Sequence, residues 1–71
     1  MNGYIIEMTH SDEKARLGYK AVRWIGIRQS AKSMIADLEG DNHRVVDRGP
    51  AVLARARAMG LWTGEVRQIH D

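Results

Sequence analysis

Apolar and polar residues alternate partly over Tyr4 to Thr9, with Tyr4, Ile6 and Met8 on one side and Ile5 and Glu7 on the other. A period of two, with β-branched and aromatic residues, predicts a strand at Tyr4–Thr9. Thr9-His10-Ser11-Asp12-Glu13 then reads as a stop followed by a helix start. Ser11 can accept from free backbone N–H groups, and Asp12 and Glu13 suit the positive end of a helix dipole. From Leu17 onward the pattern supports two readings. Leu17, Trp24, Ala31 and Leu38 recur at a heptad spacing, with Ile27, Met34 and Ile35 on the same helical face. Against a continuous helix, Gly18 and Gly26 each cost about 1 kcal/mol relative to Ala. The stretch from Tyr19 to Ile27 is also rich in strand formers. Helix and strand both fit residues 17–28.

Beyond Gln29 the spacing is helical, which predicts a helix over Ser30–Glu39 ended by Gly40-Asp41-Asn42. His43 to Asp47 suits a short strand. Pro50 suits a first helical position, where its missing N–H is not needed. The Ala-rich run that follows predicts a helix over Pro50–Met59 with Val52, Ala56 and Met59 as its apolar stripe. Arg55 and Arg57 fall on either flank of that stripe, where their stems can cover apolar surface. Gly60 fits the position just past the helix end. Residues 62–70 are again open: Gly64 and Glu65 to Ile69 suit a closing strand, whereas Trp62, Val66 and Ile69 suit one helix face. The preferred layout is an α+β single domain over residues 1–71. It has a small sheet with strands near both termini and two helices packed on one face.

Length sharpens this picture. A chain of 71 residues makes one domain, and at this size only roughly 60% of the unfolded surface is buried, so the core is small. There is no Phe, so Trp24 and Trp62 are the main sources of aromatic core area. Trp24 and Ile35 are expected in the core; Trp62, just past a helix end, suits either core or partner contact. Small domains usually need disulfides, metals or self-association as staples. The chain has no Cys and only three scattered His, which leaves homodimerisation or a partner surface. The absence of Cys fits a reducing compartment. No apolar run approaches the ~20 residues of a membrane span. The start lacks the basic and apolar regions of a signal peptide, so a cytoplasmic protein is expected.

Charge order says more than total charge. The net charge is +2. From Lys14 to Ala36 the chain carries Lys14, Arg16, Lys20, Arg23, Arg28 and Lys32 and no acid, while Glu7, Asp12 and Glu13 precede the block and Asp37, Glu39 and Asp41 follow it. Such a block is either a solvated face or an electrostatic footprint for an acidic partner, protein or nucleic acid.

Candidate chemistry is sparse. His10, His43 and His70 have no i, i+4 partner and no Cys beside them, so no metal site is expected. No Ser sits in a nucleophile-elbow pattern, and no pair of carboxylates is singled out for acid–base work. The seven Gly are dispersed and form no phosphate-binding loop. No cofactor and no catalytic residues are assigned.

Ala56-Arg57-Ala58-Met59-Gly60-Leu61, followed by Val66 and Ile69, resembles the helix-turn-helix pattern of DNA-binding regulators. Ala56, Gly60, Leu61, Val66 and Ile69 match it; Arg55 and Gly64 depart from it. The resemblance implies a recognition helix presenting Trp62, Thr63, Glu65, Arg67 and Gln68 to a groove, with Glu65 repelling phosphates. The leading expectation is different: a non-enzymatic binding protein acting through a protein–protein surface. Its partner would be an acidic protein, met by Arg16, Lys20, Arg23, Arg28, Lys32, Arg55, Arg57 and Trp62. Size and class place it with inhibitors and regulators encoded by phages and mobile elements, including anti-CRISPR proteins. A DNA-binding regulator is the alternative.

Overall fold

The computed structural model describes residues 1–8, 16–18, 21–38 and 42–70. Among the described residues, four strands and two helices follow in the order β1 (Asn2–Met8), β2 (Val22–Arg28), α1 (Ala31–Ala36), β3 (His43–Gly49), α2 (Pro50–Ala58) and β4 (Val66–Ile69). The strands form one sheet in the order β3-β1-β2-β4, with every neighbouring pair antiparallel. The α+β class, with strands near both termini and two helices, is what the molecule shows. The helix start at Ser11 to Glu13, and the helix end at Gly40-Asp41, lie outside the described residues.

The helices do not share a face. Ile5, Ile25, Ile27 and Ile69 pack with Val52, Ala56 and Leu61 of the α2 layer. Tyr4 and Ile6 pack with Met34 of α1, flanked by Trp24, Val45 and Val66. Neighbouring residues of β1 thus serve opposite cores, as the strand period of two requires. The one-face expectation missed this because it treated the sheet as half-solvated. A strand covered on both sides reads as a continuous apolar run. Tyr4-Ile5-Ile6 and Trp24-Ile25-Gly26-Ile27 are such runs, and residues 3–7 and 25–27 are buried throughout.

Tertiary pairing decides the two ambiguous segments. Residues 22–28 are a strand because they pair with β1 along its whole length, from Asn2 opposite Arg28 to Met8 opposite Val22. Residues 66–69 close the sheet against β2, with Val66 opposite Gly26 and Ile69 opposite Arg23. Gly26, a cost to a helix, is needed in the strand: a Cβ there would lie 2.8 Å from the Glu65 carbonyl oxygen and 3.2 Å from the Met34 thioether. β3 runs two residues past its expected end at Asp47. Its register against β1 shifts between Ile5 and Ile6, leaving Val46 as the extra residue of a bulge.

Local signals set the helix ends. Ser30 caps α1, its Oγ accepting from the Ser33 N–H at 3.2 Å. The helix stops at Ala36 with Asp37 as its C-cap, short of the expected Glu39. Pro50 opens α2 directly after Gly49, whose φ is 122°. At the other end the Gly60 N–H donates to Arg57 O at 2.9 Å and the Leu61 N–H to Ala56 O at 3.1 Å. That is the paired bonding of a Schellman motif, with Gly60 at φ 80° and Leu61 buried behind it.

Burial corrects two further expectations and decides one left open. Trp24 and Ile35 are half-buried, because a helix of six residues covers only part of its face. The Trp24 ring instead leans on His43, 5.9 Å between centroids at 50°. Trp62 is 77% exposed and plays no part in either core. The fully buried side chains are Ile6, Ile25, Ile27 and Met34, each worth about 1.5–3 kcal/mol relative to exposure.

Candidate binding surfaces

The basic block does not form one surface. Arg23 and Arg28 sit on β2 an odd number of residues apart, so they leave opposite faces of the sheet. Arg28 lies on the α1 side and pairs with Asp37 at the end of that helix. Arg23 lies on the α2 side and pairs with Glu7. Arg16 and Lys32 are exposed, and Lys20 lies outside the described residues. With Arg23 and Arg28 on a strand, the described part of the block is not presented as one continuous footprint.

In its place stands a cluster that centres on Glu7. Glu7 is 6% exposed, and its two carboxylate oxygens take one arginine each. Arg23 Nε donates to Oε2 at 2.8 Å and Arg44 Nη2 to Oε1 at 2.9 Å. β1 is the central partner of both β2 and β3, so the register sets Glu7 directly between Arg23 and Arg44. The bond from Arg23, then that from Arg44, holds the Glu7 carboxyl below the ordinary glutamate range against the smaller opposing push of burial. The one clue in the sequence was an acid in the middle of an apolar strand.

Arg55, Arg57 and Trp62 belong to the α2 layer. Both arginines are exposed on α2, and α2 contains no acid. Trp62 stands on the loop that leads from α2 to β4, and that loop is tied down. The Trp62 N–H donates to Glu65 Oε1 at 3.3 Å and the Gly64 N–H to Ile27 O at 2.9 Å. Arg67 Nη1 reaches back to Met59 O at 2.9 Å. The indole is thus presented to solvent from a fixed backbone.

The second helix implied by the helix-turn-helix resemblance is absent. Val66 to Ile69 are β4, so Arg67 and Gln68 point to opposite faces of the sheet rather than along one groove-reading face. The Ala56-to-Leu61 match records a Schellman helix end, which uses the same small and Gly residues. The β3 edge carries Arg44, Asp47 and Arg48 and the Val46 bulge, features that disfavour strand pairing between copies through that edge.

Among the described residues no three or more His, Cys, Asp or Glu come together as a metal site, and no helix is long and apolar enough to cross a membrane. Comparison with protein families, curated proteins and solved structures finds no match for the chain.

Proposed function

We propose that the chain is a non-enzymatic binding module whose contact surface is the α2 layer, with Trp62 as its anchor and Arg55 and Arg57 as its charged surround. The carrying observation is Trp62, 77% exposed on a loop held at Glu65 and Ile27. A small domain gains stability by burying its largest apolar side chains. One left in water on a fixed loop adds nothing to the fold and suits a partner's pocket, where Trp and Arg are the usual dominant contacts. The exposed Arg57 beside the exposed Trp62 suits a protein with an acidic rim around an apolar cleft. The chain would then act as an inhibitor or regulator of a larger complex in the cytoplasm, in the manner of phage and mobile-element proteins such as anti-CRISPR proteins. Its size and the lack of a catalytic motif support that role.

The test is affinity capture with the purified chain, with and without nuclease, beside Trp62→Ala. The variant is expected to melt like the parent and to weaken partner binding by about 2 kcal/mol or more. Binding is expected to keep most of its affinity as salt rises. Capture that vanishes with nuclease, falling by orders of magnitude between about 50 and 200 mM salt, would instead mean phosphate recognition and defeat the proposal. So would unchanged binding by Trp62→Ala.

A further inference from the structure

The two edges of the sheet are built differently. β3, on one side, is interrupted by the Val46 bulge and carries Arg44, Asp47 and Arg48, which discourages a further strand from adding there. β4, on the other, has neither device. Its residues pair with β2 in unbroken register. It contains no Pro, and its one charged residue, Arg67, is drawn onto Met59 O at 2.9 Å. α2 lies over β1, β2 and β3, and α1 over β1 and β2, so the helices sit away from the β4 edge. An edge strand turns alternate backbone N–H and C=O groups outward, and those of β4 form a template for one more antiparallel strand.

The strand is complementary to itself in one register. Two copies joined edge to edge keep matching faces on the same side only about a twofold axis normal to the sheet. Such an axis sets one residue opposite its own copy. Centred on Arg67 it would place two guanidinium groups opposite each other, a destabilising pair. Centred on Val66 it would draw in Gly64, whose φ of 94° is not strand geometry, and Glu65, which accepts from the Trp62 N–H. Centred on Ile69 it would pair only residues 68–70 of those described. Centred on Gln68 it pairs residues 66–70: Gln68 with Gln68, Arg67 with Ile69 and Val66 with His70. No like charges meet, and the two Gln68 amides can each donate and accept.

We propose that two copies of the chain associate through β4, antiparallel and centred on Gln68, joining their four-stranded sheets into one with β3 at both outer edges. The chain has no Cys to staple so small a core, and self-association is a remaining route. The contact does not enlist α2 or Trp62, so it stands or falls independently of the binding proposed above.

Sedimentation equilibrium of the full chain from about 10 μM to 1 mM tests this. Short paired strands bury less than a standard interface, so a weak dimer that forms within that range is expected. Gln68 is exposed, so Gln68→Lys and Gln68→Glu should each melt like the parent. Each should dimerise severalfold more weakly, because like charges then face each other across the axis, and the two mixed in equal amounts should recover the dimer. Recovery in the mixture is specific to a residue that meets its own copy. Val46→Lys on the other edge, and Trp62→Ala, should leave the dimer unchanged. A monomer throughout the range would overturn the proposal. So would a dimer that the Gln68 variants leave unaltered, no recovery in the mixture, or a dimer lost in Val46→Lys or in Trp62→Ala.

Discussion

Gly3→Ala should be among the most damaging single substitutions in this chain, although Gly3 has no positive φ and sits in a regular strand. The α2 backbone crosses directly over it. A Cβ at Gly3 would lie 2.3 Å from Leu53 N and 2.6 Å from Leu53 Cα and Val52 C, where ordinary contact begins at 3.4 Å. Backbone cannot swing aside as a flexible side chain can, so α2 must rise by about 1 Å. A gap of that size forfeits about a quarter to a half of the dispersion contact across it. The contacts at stake are those of Val52 and Ala56 with Ile5, Ile25 and Ile27, the larger of the two cores. Overpacking costs about 1–3 kcal/mol and the lost contacts add to it, so we expect about 3–4 kcal/mol. A domain of 71 residues at about 0.05–0.15 kcal/mol per residue has only about 4–10 kcal/mol in all. At about 4–8 °C per kcal/mol, Tm should fall by about 12 °C or more. Thermal and urea unfolding followed by far-UV circular dichroism measures this. Gly60→Ala is the comparison: its φ is 80° with nothing within 4 Å, so it should cost only the left-handed strain of about 1–2 kcal/mol. A Gly3→Ala protein melting within about 2 °C of the parent would refute the close approach of α2 to the sheet.

Two further outcomes follow from the ion-pair cluster and from the cap of α1. Glu7 is held below its ordinary value of 4.5 by Arg23 and Arg44, so its contribution is fully present above that pH and is lost as pH falls through the lower, folded-state value. Glu7→Gln should therefore be less stable at neutral pH, and the gap to the parent in urea unfolding should close below pH 4.5; a gap independent of pH would contradict the pairing. Ser30→Ala removes the acceptor for the Ser33 N–H and should cost about 1 kcal/mol by the same assay, a large share for a helix of six residues; no measurable change would mean that packing alone sets the helix start.

Some of this protein was legible residue by residue. The Pro50 start and Gly60 end of α2 depend on a missing N–H and a left-handed φ, properties of single residues that act wherever they stand. Ser30 before α1 acts through a bond to a group three residues away, and the β-branched and aromatic residues of Tyr4 to Met8 report a strand from their own side chains. The segments around Trp24 and Val66 carried no such local signal. Their glycines weaken a helix, their apolar spacing permits one, and they are strands because β1 and β2 offer unpaired backbone groups along their length. The Glu7 cluster was less legible still. Its arginines are 16 and 37 residues away along the chain, and only the order β3-β1-β2 puts them on either side of one carboxylate. The division of the basic block between two faces, the exposure of Trp62 and the need for Gly3 have the same origin. Each depends on what the completed sheet and its two covering layers place within a few ångströms, a relation between distant residues that no local pattern encodes.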